Sequence, residues 1–435
     1  VDFIPDASNQ YVNPNFAVPS GQVDLFAEDF RYPQLFRTSL GFDYNFGKGL
    51  IATVEGIYSK TLNNVIYTNV NNDPTIVNRW TNGNPDYFRD GDYDDRVIYG
   101  RNDIDERYNS IYLGENTDQG YTYTVTGSLS KFFQNGLNFT LAYTYGDAES
   151  IVEGTSSQNS SQWRGAFNVD GRNDPAYGRS DFALGHRVVA SGTYGVNWNK
   201  AGNVRTMISL FYNGQSGAPF SYVYDSNNIN NETGSTRRSR SLIYVPQDQS
   251  DIALIDIQDD NGEVINSAED QWAALDQFIS EDDHLSERRG QYAQKNGNRV
   301  PFFHQLDIRL TQEFAVGKNK LQLTFDVFNF MNMLNNEWGV RYSNPFDYRI
   351  LNFEGYAADG TTPQFTFTES DLGTDRFGIQ DFNPQVQEAI NLGISDAWYD
   401  FESVMKKVET GEIGSGDAFG SREFLKNNYL YRMAA

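Results

Sequence analysis

Apolar and polar side chains alternate along FRTSLGFDYNF, residues Phe36–Phe46. Its even positions carry Phe36, Thr38, Leu40, Phe42, Tyr44 and Phe46. Its odd positions carry Arg37, Ser39, Gly41, Asp43 and Asn45. Alternation with a period of two residues is typical of a β-strand with one apolar and one polar face. A strand that crosses a bilayer at a tilt needs about 9–11 residues, whereas a soluble strand has about 5–6, so this length favours a membrane-spanning strand.

The same pattern recurs in pairs of strands around short turns. The first pair joins this stretch, across Gly47-Lys48-Gly49, to a strand whose apolar face runs from Leu50 to Tyr58. Three further pairs surround turns at residues 134–136, 199–203 and 316–319. Two alternating strands joined by a short turn that contains glycine predict a β-hairpin. The sequence therefore predicts four hairpins.

Long polar segments connect these hairpins, at residues 60–119, 146–185, 214–301 and 329–384. Short turns that alternate with long loops are typical of bacterial outer-membrane barrels, whose turns are periplasmic and whose loops are extracellular. We therefore predict an all-β fold, a partial transmembrane antiparallel β-barrel with about eight strands visible as four hairpins. We expect long extracellular loops, a short helical C-terminal tail and a location in the bacterial outer membrane, in contact with its lipid.

The distribution of charge along the strands supports this prediction. The apolar faces carry no Asp, Glu, Lys or Arg, and a charge there would cost about 2–4 kcal/mol near the bilayer midplane. Aromatic residues lie at both ends of the strands, as interfacial belts require. The opposite faces carry charged residues that are candidates to line a substrate path: Arg37, Asp43, Glu55, Arg187, Arg205, Asp307, Arg309 and Asp326. The alternative fold is a soluble β-sandwich or propeller with long strands.

Composition excludes several classes of protein. A net charge of −24 argues against nucleic-acid binding, which needs an excess of Lys and Arg. The absence of cysteine excludes disulfides and thiolate metal sites. There is no apolar run of about 18 residues, so the sequence predicts no transmembrane helix. The chain begins at Val1 without a signal peptide, which indicates a mature chain or a fragment.

The C-terminal tail breaks the strand pattern. Apolar residues recur at helical spacing from Val386, and Asn383-Pro384 is suited to begin a helix. We therefore divide the chain into a barrel portion, residues 1–384, and a helical tail of uncertain origin, residues 385–435. A gene fusion or an assembly junction would explain this tail, because a barrel of this kind should end on a membrane strand.

Several segments in the same order resemble one family. They include NTDQGYTYTVTGSLSKFFQNGLNFTLAYTYG at residues 116–146, LSERRGQYAQKNGNRVPFFHQLDIRL at 285–310 and FDVFNFMNMLNNEWG at 325–339. Together with the segments between them, they resemble the C-terminal barrel of an Oar-like TonB-dependent outer-membrane receptor of the Bacteroidota type. The resemblance covers about residues 13–336.

This resemblance implies an energy-coupled importer of which the chain holds well under half. The intact protein would have an upstream plug that a TonB-type periplasmic energiser displaces, and an unidentified extracellular ligand. The charged inward residues would contact the plug or the ligand, and no residue would be catalytic. The alternatives are a passive porin-like barrel and an adhesin or secretion-related barrel, neither of which needs a plug.

Other motifs add candidates without deciding the function. Asp90, Asp92 and Asp94 alternate as in a calcium loop, but no bidentate Glu follows at the proper distance, so we expect neither metal nor cofactor. The histidines His186, His284 and His304 lie in separate segments, which favours structural or interfacial roles over a metal site. Loop aromatics that could contact a ligand or a plug are Trp80, Tyr93, Trp163, Tyr222 and Trp272.

Overall fold

The protein is described from a computed structural model, which places residues 21–81, 94–199, 202–233, 239–335, 338–342 and 347–367. The strands are β1 (Gly21–Phe26), β2 (Gln34–Gly47), β3 (Leu50–Asn69), β4 (Ile76–Arg79), β5 (Val97–Tyr99), β6 (Tyr108–Thr117), β7 (Gly120–Phe132), β8 (Leu137–Ser150), β9 (Gly178–Arg179), β10 (Gly185–Asn197), β11 (Val204–Gln215), β12 (Pro219–Asp225), β13 (Tyr244–Val245), β14 (Ala253–Leu254), β15 (Ile257–Gln258), β16 (Val264–Asn266), β17 (Gln291–Tyr292), β18 (Asn298–Arg299), β19 (Phe303–Val316), β20 (Asn319–Val327), β21 (Asp347–Tyr356) and β22 (Pro363–Thr366). The helices are α1 (Asn159–Arg164), α2 (Ala268–Glu281), α3 (Asp283–Ser286) and α4 (Phe330–Leu334), with a 3-10 turn at Gln249–Asp251.

The main sheet is an antiparallel meander in the order β2-β3-β7-β8-β10-β11-β19-β20. The opening stretch lies within β2 and pairs with β3, so that Leu40 lies opposite Gly56 and Asp43 opposite Thr53. The short turns predicted within the four strand pairs connect β2 to β3, β7 to β8, β10 to β11 and β19 to β20. The two-residue alternation of apolar and polar residues therefore located these strands correctly.

One part of the sheet extends well beyond the length that a membrane requires. β3 has 20 residues, which at about 3.3 Å per residue is roughly 66 Å of chain. Its outer half pairs with β6 and its inner half with β7 in one unbroken register, Asn64 opposite Thr117 and Lys60 opposite Tyr121. The outer half of β3 thus extends the sheet outward as far as Asn69, and β1 adds to it by pairing in parallel with β6.

The sheet is open within the part of the chain that the structure describes. β2 pairs with β3 alone, and β20 pairs with β19 alone. The predicted all-β character is confirmed, whereas barrel closure is not seen among these residues. None of the described helices has the length and apolar character needed to span a membrane.

The hydrophobic core lies in the long connections rather than against the sheet. We call the described parts of residues 70–107, 151–184, 216–302 and 338–367 the loop assembly. Its core joins β12, α2, β21 and β22 through residues such as Phe220, Leu275, Ile279 and Leu351, all at most 1 % exposed. The sequence identifies these segments only as long polar loops, and their apolar residues are spaced too irregularly along the chain to predict a core.

Helix α2 shows why part of this assembly folds locally. The Ser267 side chain accepts a hydrogen bond from the Asp270 amide, and Glu269 and Asp270 place acidic groups in the first turn. Both features stabilise a helix N-terminus. The helix then buries Leu275 and Ile279, four residues apart, in the core. The predicted helices of the 385–435 tail lie outside the described residues.

Candidate functional site

The two faces of the meander differ as the sequence predicts. On the apolar face Leu40, Leu141 and Leu323 are 81 %, 38 % and 56 % exposed, so no protein layer covers them. A soluble sandwich would bury these leucines against a second sheet. In a soluble monomer so large an apolar surface would be exceptional, whereas a lipid-facing wall needs it.

The other face, here called the polar wall, carries the eight charged candidates from the sequence. Arg309 and Asp326 lie directly opposite each other on β19 and β20. They form a bidentate ion pair, with Nε to Oδ1 at 2.5 Å and Nη2 to Oδ2 at 3.1 Å. Of the eight candidates, these are the two that the fold brings together as a pair.

The other six candidates have neutral or distant neighbours. Two arginines donate to neutral side chains, Arg37 to Ser59 Oγ at 2.9 Å and Arg187 to Asn213 Oδ1 at 3.2 Å. Two aspartates accept from neutral groups, Asp43 from Thr53 Oγ1 at 2.5 Å and Asp307 from the Asn329 backbone amide at 2.8 Å. Glu55 lies opposite Gly41 and Thr126. Arg205 lies opposite Glu313, and its buried Nε has no hydrogen-bond partner among the described residues. The six do not converge on one point, so the arrangement is an extended polar surface.

Small hydroxyl side chains fill the middle of the polar wall. Thr126 and Thr144 are hydrogen-bonded across β7 and β8 at 2.9 Å, and Thr193 and Ser209 across β10 and β11 at 3.1 Å. Short side chains leave space in front of the sheet, and hydroxyl groups both donate and accept hydrogen bonds. The wall can therefore hydrogen-bond to water, to a solute or to a folded segment.

Above the sheet, the loop assembly is built around a buried ion pair. Arg96 Nη2 lies 3.3 Å from Asp94 Oδ2, and both side chains are almost fully buried. The same Nη2 donates to the Leu242 carbonyl at 2.6 Å, which ties the β3–β7 connection to the β11–β19 connection. Tyr292 donates a further hydrogen bond to Asp94 at 2.9 Å.

Burial and ion pairing shift the pKa values of Asp94 and Arg96 in opposite directions. Burial raises the pKa of Asp94, and the Arg96 guanidinium opposes that shift. Burial alone would lower the pKa of Arg96, but the Asp94 carboxylate raises it above its ordinary value. Each group therefore stabilises the charged form of the other, and each one depends on its partner.

Two tryptophans proposed as ligand contacts lie beneath buried arginines instead. Trp80 is 1 % exposed and has the Arg96 guanidinium 5.0 Å from its ring centroid. Trp163 is 1 % exposed and lies under Arg172 at 5.2 Å. Tyr222 is also buried. Their proposed role in ligand contact is therefore wrong, because cation–π contact and core packing occupy these rings.

The remaining loop candidates differ in what can be said of them. Trp272 is partly buried and packs against the core. Asp90, Asp92 and Tyr93 lie outside the described residues. Asp94, the third residue of the proposed calcium loop, is taken up by the ion pair. Among the residues that the structure describes, no group of three or more His, Asp or Glu side chains could hold a metal ion.

A second buried contact links two more connections of the loop assembly. Lys295 Nζ donates to the Ser150 carbonyl at 2.8 Å and lies 3.3 Å from Glu153 Oε1. Burial would raise the pKa of Glu153, but the Lys295 ammonium and hydrogen bonds from Ser150 and Ser180 lower it below its ordinary value. The loop assembly is thus held together by charged contacts as well as by its core.

An apolar, uncovered face and a polar wall on one antiparallel meander are the features of an outer-membrane barrel wall. The family model for the outer membrane beta barrel domain matches residues 2–383. The chain belongs to this family. It is a protein of the bacterial outer membrane.

Comparison with known proteins adds one solved structure. The barrel protein is similar to the outer membrane transporter YddB from Escherichia coli, with 12 % identity and a TM-score of 0.33. The match covers 80 % of this chain and 33 % of that chain, so the chain spans about a third of the transporter's length. No match was found among curated protein sequences.

Sequence reasoning missed one repeated feature of the barrel wall. His186 and His304 each accept or donate a hydrogen bond at Nδ1, to Tyr143 and Tyr212 respectively, at 2.7 Å in both cases. Both histidines lie on the apolar face at the long-loop ends of β10 and β19. The signal was available, because each histidine occupies the apolar-face position two residues before Val188 or Leu306.

Proposed function

We propose that the chain is the barrel portion of an Oar-like TonB-dependent transporter that imports a ligand by energy-coupled displacement of a plug. The observation that carries this proposal is the polar wall, whose charged groups and small hydroxyls face an uncovered side of the sheet. An interior domain that must bind and be released needs such hydrogen-bonding groups. The resemblance of residues 13–336 to Oar-like receptors supports the same role.

The cross-strand pair of Arg309 and Asp326 suits a wall that faces a movable plug. Its charges are compensated within the sheet, so it leaves no unpaired charge when an interior domain leaves. Arg187 and Arg205 have no carboxylate within ion-pair distance among the described residues, and they would pair with acidic groups of the plug or of the ligand. In this role a TonB-type energiser acts on the plug, and outer-membrane lipid surrounds the apolar face.

Planar-bilayer conductance of the complete native polypeptide, in potassium chloride, tests this proposal. A plugged transporter gives no steady open-channel current until urea unfolds the interior domain. A passive porin gives a steady current from the first insertion, and that result would contradict the proposal. A photo-crosslinking experiment distinguishes an adhesin or secretion barrel, which has no plug.

The crosslinking experiment places a photo-reactive amino acid at Arg187 or Arg205. The expected product is a crosslink within the polypeptide, from the polar wall to a segment upstream of this chain. A crosslinker at Leu40, on the apolar face, is the matched control and should give no such product. Crosslinking from the wall only to water-soluble probes, with no intrachain product, counts against the plug.

A further inference from the structure

Two aromatic-histidine clusters occupy equivalent places on the apolar face. In the first, the His186 ring lies 4.8 Å from Tyr145, which is directly opposite on β8, and Tyr143 reaches its Nδ1. In the second, His304 lies 4.8 Å from Phe302, and Tyr212 reaches its Nδ1. The tyrosine–histidine centroid distance is 6.1 Å in both clusters. The same geometry is therefore built twice, with different residues as the second ring.

A glycine makes room for the second cluster. Gly214 lies opposite His304, at the place that Tyr145 occupies opposite His186. A Cβ at Gly214 would lie 2.5 Å from the Tyr212 hydroxyl and 3.0 Å from Phe302 Cε1. Any larger residue would displace the ring that holds His304. The contact is consequently specified by the backbone as well as by the two side chains.

The depth of both histidines places them at the edge of the apolar band. Trp198 and Phe314 lie at the short-turn ends of β10 and β19. His186 precedes Trp198 by 12 residues, and His304 precedes Phe314 by 10 residues. At about 3.3 Å per residue and a tilt of about 40°, these separations are roughly 30 Å and 25 Å along the membrane normal. The apolar band of such barrels is about 25 Å tall. Both histidines therefore lie at the level of the lipid headgroups.

Which ring nitrogen carries the proton depends on the tautomer. A tyrosine hydroxyl that donates to Nδ1 leaves the ring proton on Nε2, and a protonated ring carries a proton on both nitrogens, so in these two forms the outward Nε2 is a donor. Both histidines are exposed, and among the described residues no group bonds to either Nε2. Each cluster thus presents an N–H donor within an aromatic surface, at the depth where lipid phosphates lie.

We infer that the two clusters are paired binding sites for the phosphate groups of an anionic, phosphorylated lipid of the outer leaflet. β11 lies between β10 and β19, and the registers differ by two residues. The two histidines are two strand spacings apart across the sheet, about 9.6 Å, and two residues apart along the strands, about 6.6 Å. Their Cα atoms are therefore about 12 Å apart. That distance suits one headgroup with two separated phosphates. The aromatic rings would pack against its sugar or acyl carbons.

The test uses the complete native polypeptide in phosphatidylethanolamine vesicles doped with lipid A, and in vesicles doped with its dephosphorylated form. Lipid retained on the purified protein is counted by native mass spectrometry. The variant His186→Phe/His304→Phe keeps the aromatic belt and loses both N–H donors. Loss of hydrogen bonds to charged phosphates should lower lipid A retention by at least about ten-fold, the low end for a single such bond. Retention of the dephosphorylated lipid should not change.

Two further variants separate a binding role from a structural one. His186→Gln/His304→Gln retains an N–H donor and should keep most of the retention. Tyr143→Phe/Tyr212→Phe keeps the rings, frees Nδ1 and should lower retention by a smaller factor. Unchanged retention in the His→Phe variant, or equal retention of the dephosphorylated lipid, overturns the inference. If the His→Phe variant fails to fold, the tyrosine variant decides between the two outcomes.

Discussion

The buried ion pair of the loop assembly predicts a large effect from a single substitution. Arg96→Ala leaves the Asp94 carboxylate buried without its cation, and it also removes the guanidinium from the faces of Trp80 and Tyr224, each 5.0 Å away. Removal of one partner from a buried pair costs about 3–5 kcal/mol. At 1.36 kcal/mol for each factor of ten, local opening should rise about a hundred-fold to a few thousand-fold.

A matched control exists in the same connection of the chain. Arg107 pairs with Asp105 across the same two-residue spacing, but its side chain is 80 % exposed. Solvent screens an exposed pair, so Arg107→Ala should leave the loop assembly unchanged. The two substitutions remove the same side chain from the same local motif. A difference between them measures the combined effect of burial and of the contacts that Arg96 makes with Trp80, Tyr224 and the Leu242 carbonyl.

Hydrogen exchange of the folded protein in detergent is the appropriate assay, because global unfolding of a membrane barrel is seldom two-state. The reporters are peptides that cover β5 and β13, which the Arg96 side chain and backbone join to the rest of the assembly. The double variant Asp94→Asn/Arg96→Met should recover part of the lost protection, since it leaves no buried charge. Equal protection in the Arg96→Ala and Arg107→Ala variants would contradict a stabilising role for the buried pair.

Three further predictions concern other parts of the molecule. Burial lowers the pKa of His284 from 6.5, and its Nε2 accepts a hydrogen bond from the Gln294 amide at 3.2 Å. Because the unfolded segment binds the proton more readily, protection of α3 should be highest above pH 6.5 and should fall as the pH drops through that value. Amide hydrogen exchange, corrected for intrinsic rates, measures this protection. A Cβ at Gly297 would lie 2.2 Å from His284 Cε1, so Gly297→Ala should cost about 1–3 kcal/mol of local stability, and unchanged protection of α3 would contradict this packing. Leu40→Arg should cost about 2–4 kcal/mol of folding free energy in lipid, measured by urea titration in vesicles, whereas Ser39→Arg on the polar wall should cost much less.

The strands of the meander could be predicted from sequence because their signal is local. Alternation along residues 36–46 requires only that neighbouring side chains point to opposite faces, and the bounds of β2 enclose that stretch. Short turns that contain glycine then specify which strands are neighbours.

The loop assembly could not be predicted in this way, because its contacts join distant parts of the chain. Trp80 Nε1 donates to the Tyr356 hydroxyl across 276 residues, and Arg96 reaches Leu242 across 146. No periodicity within one segment signals such a contact. An aromatic residue in a polar loop therefore suggested a ligand contact, whereas the fold uses Trp80 and Trp163 as platforms for buried arginines.

The candidate site was predicted in composition but not in arrangement. The rule that one strand face is charged selected eight residues, and all eight lie on the polar wall. Only register decides that Arg309 meets Asp326 while Arg205 meets Glu313, and register depends on turn geometry that the sequence does not resolve to one residue. The histidine clusters were missed because each needs a partner on the neighbouring strand.

The central claim is that the two faces of the meander meet different solvents. The chain has no native cysteine, so single cysteines can be placed at Ser39, Leu40, Gly41, Phe42 and Asp43 without background labelling. Spin labels at these positions in lipid vesicles report collision with membrane-soluble oxygen and with a water-soluble nickel complex. Oxygen accessibility should peak at residues 40 and 42, and nickel accessibility at residues 39, 41 and 43. Equal accessibility at all five positions, or a period other than two, would contradict the assignment of a lipid-facing wall.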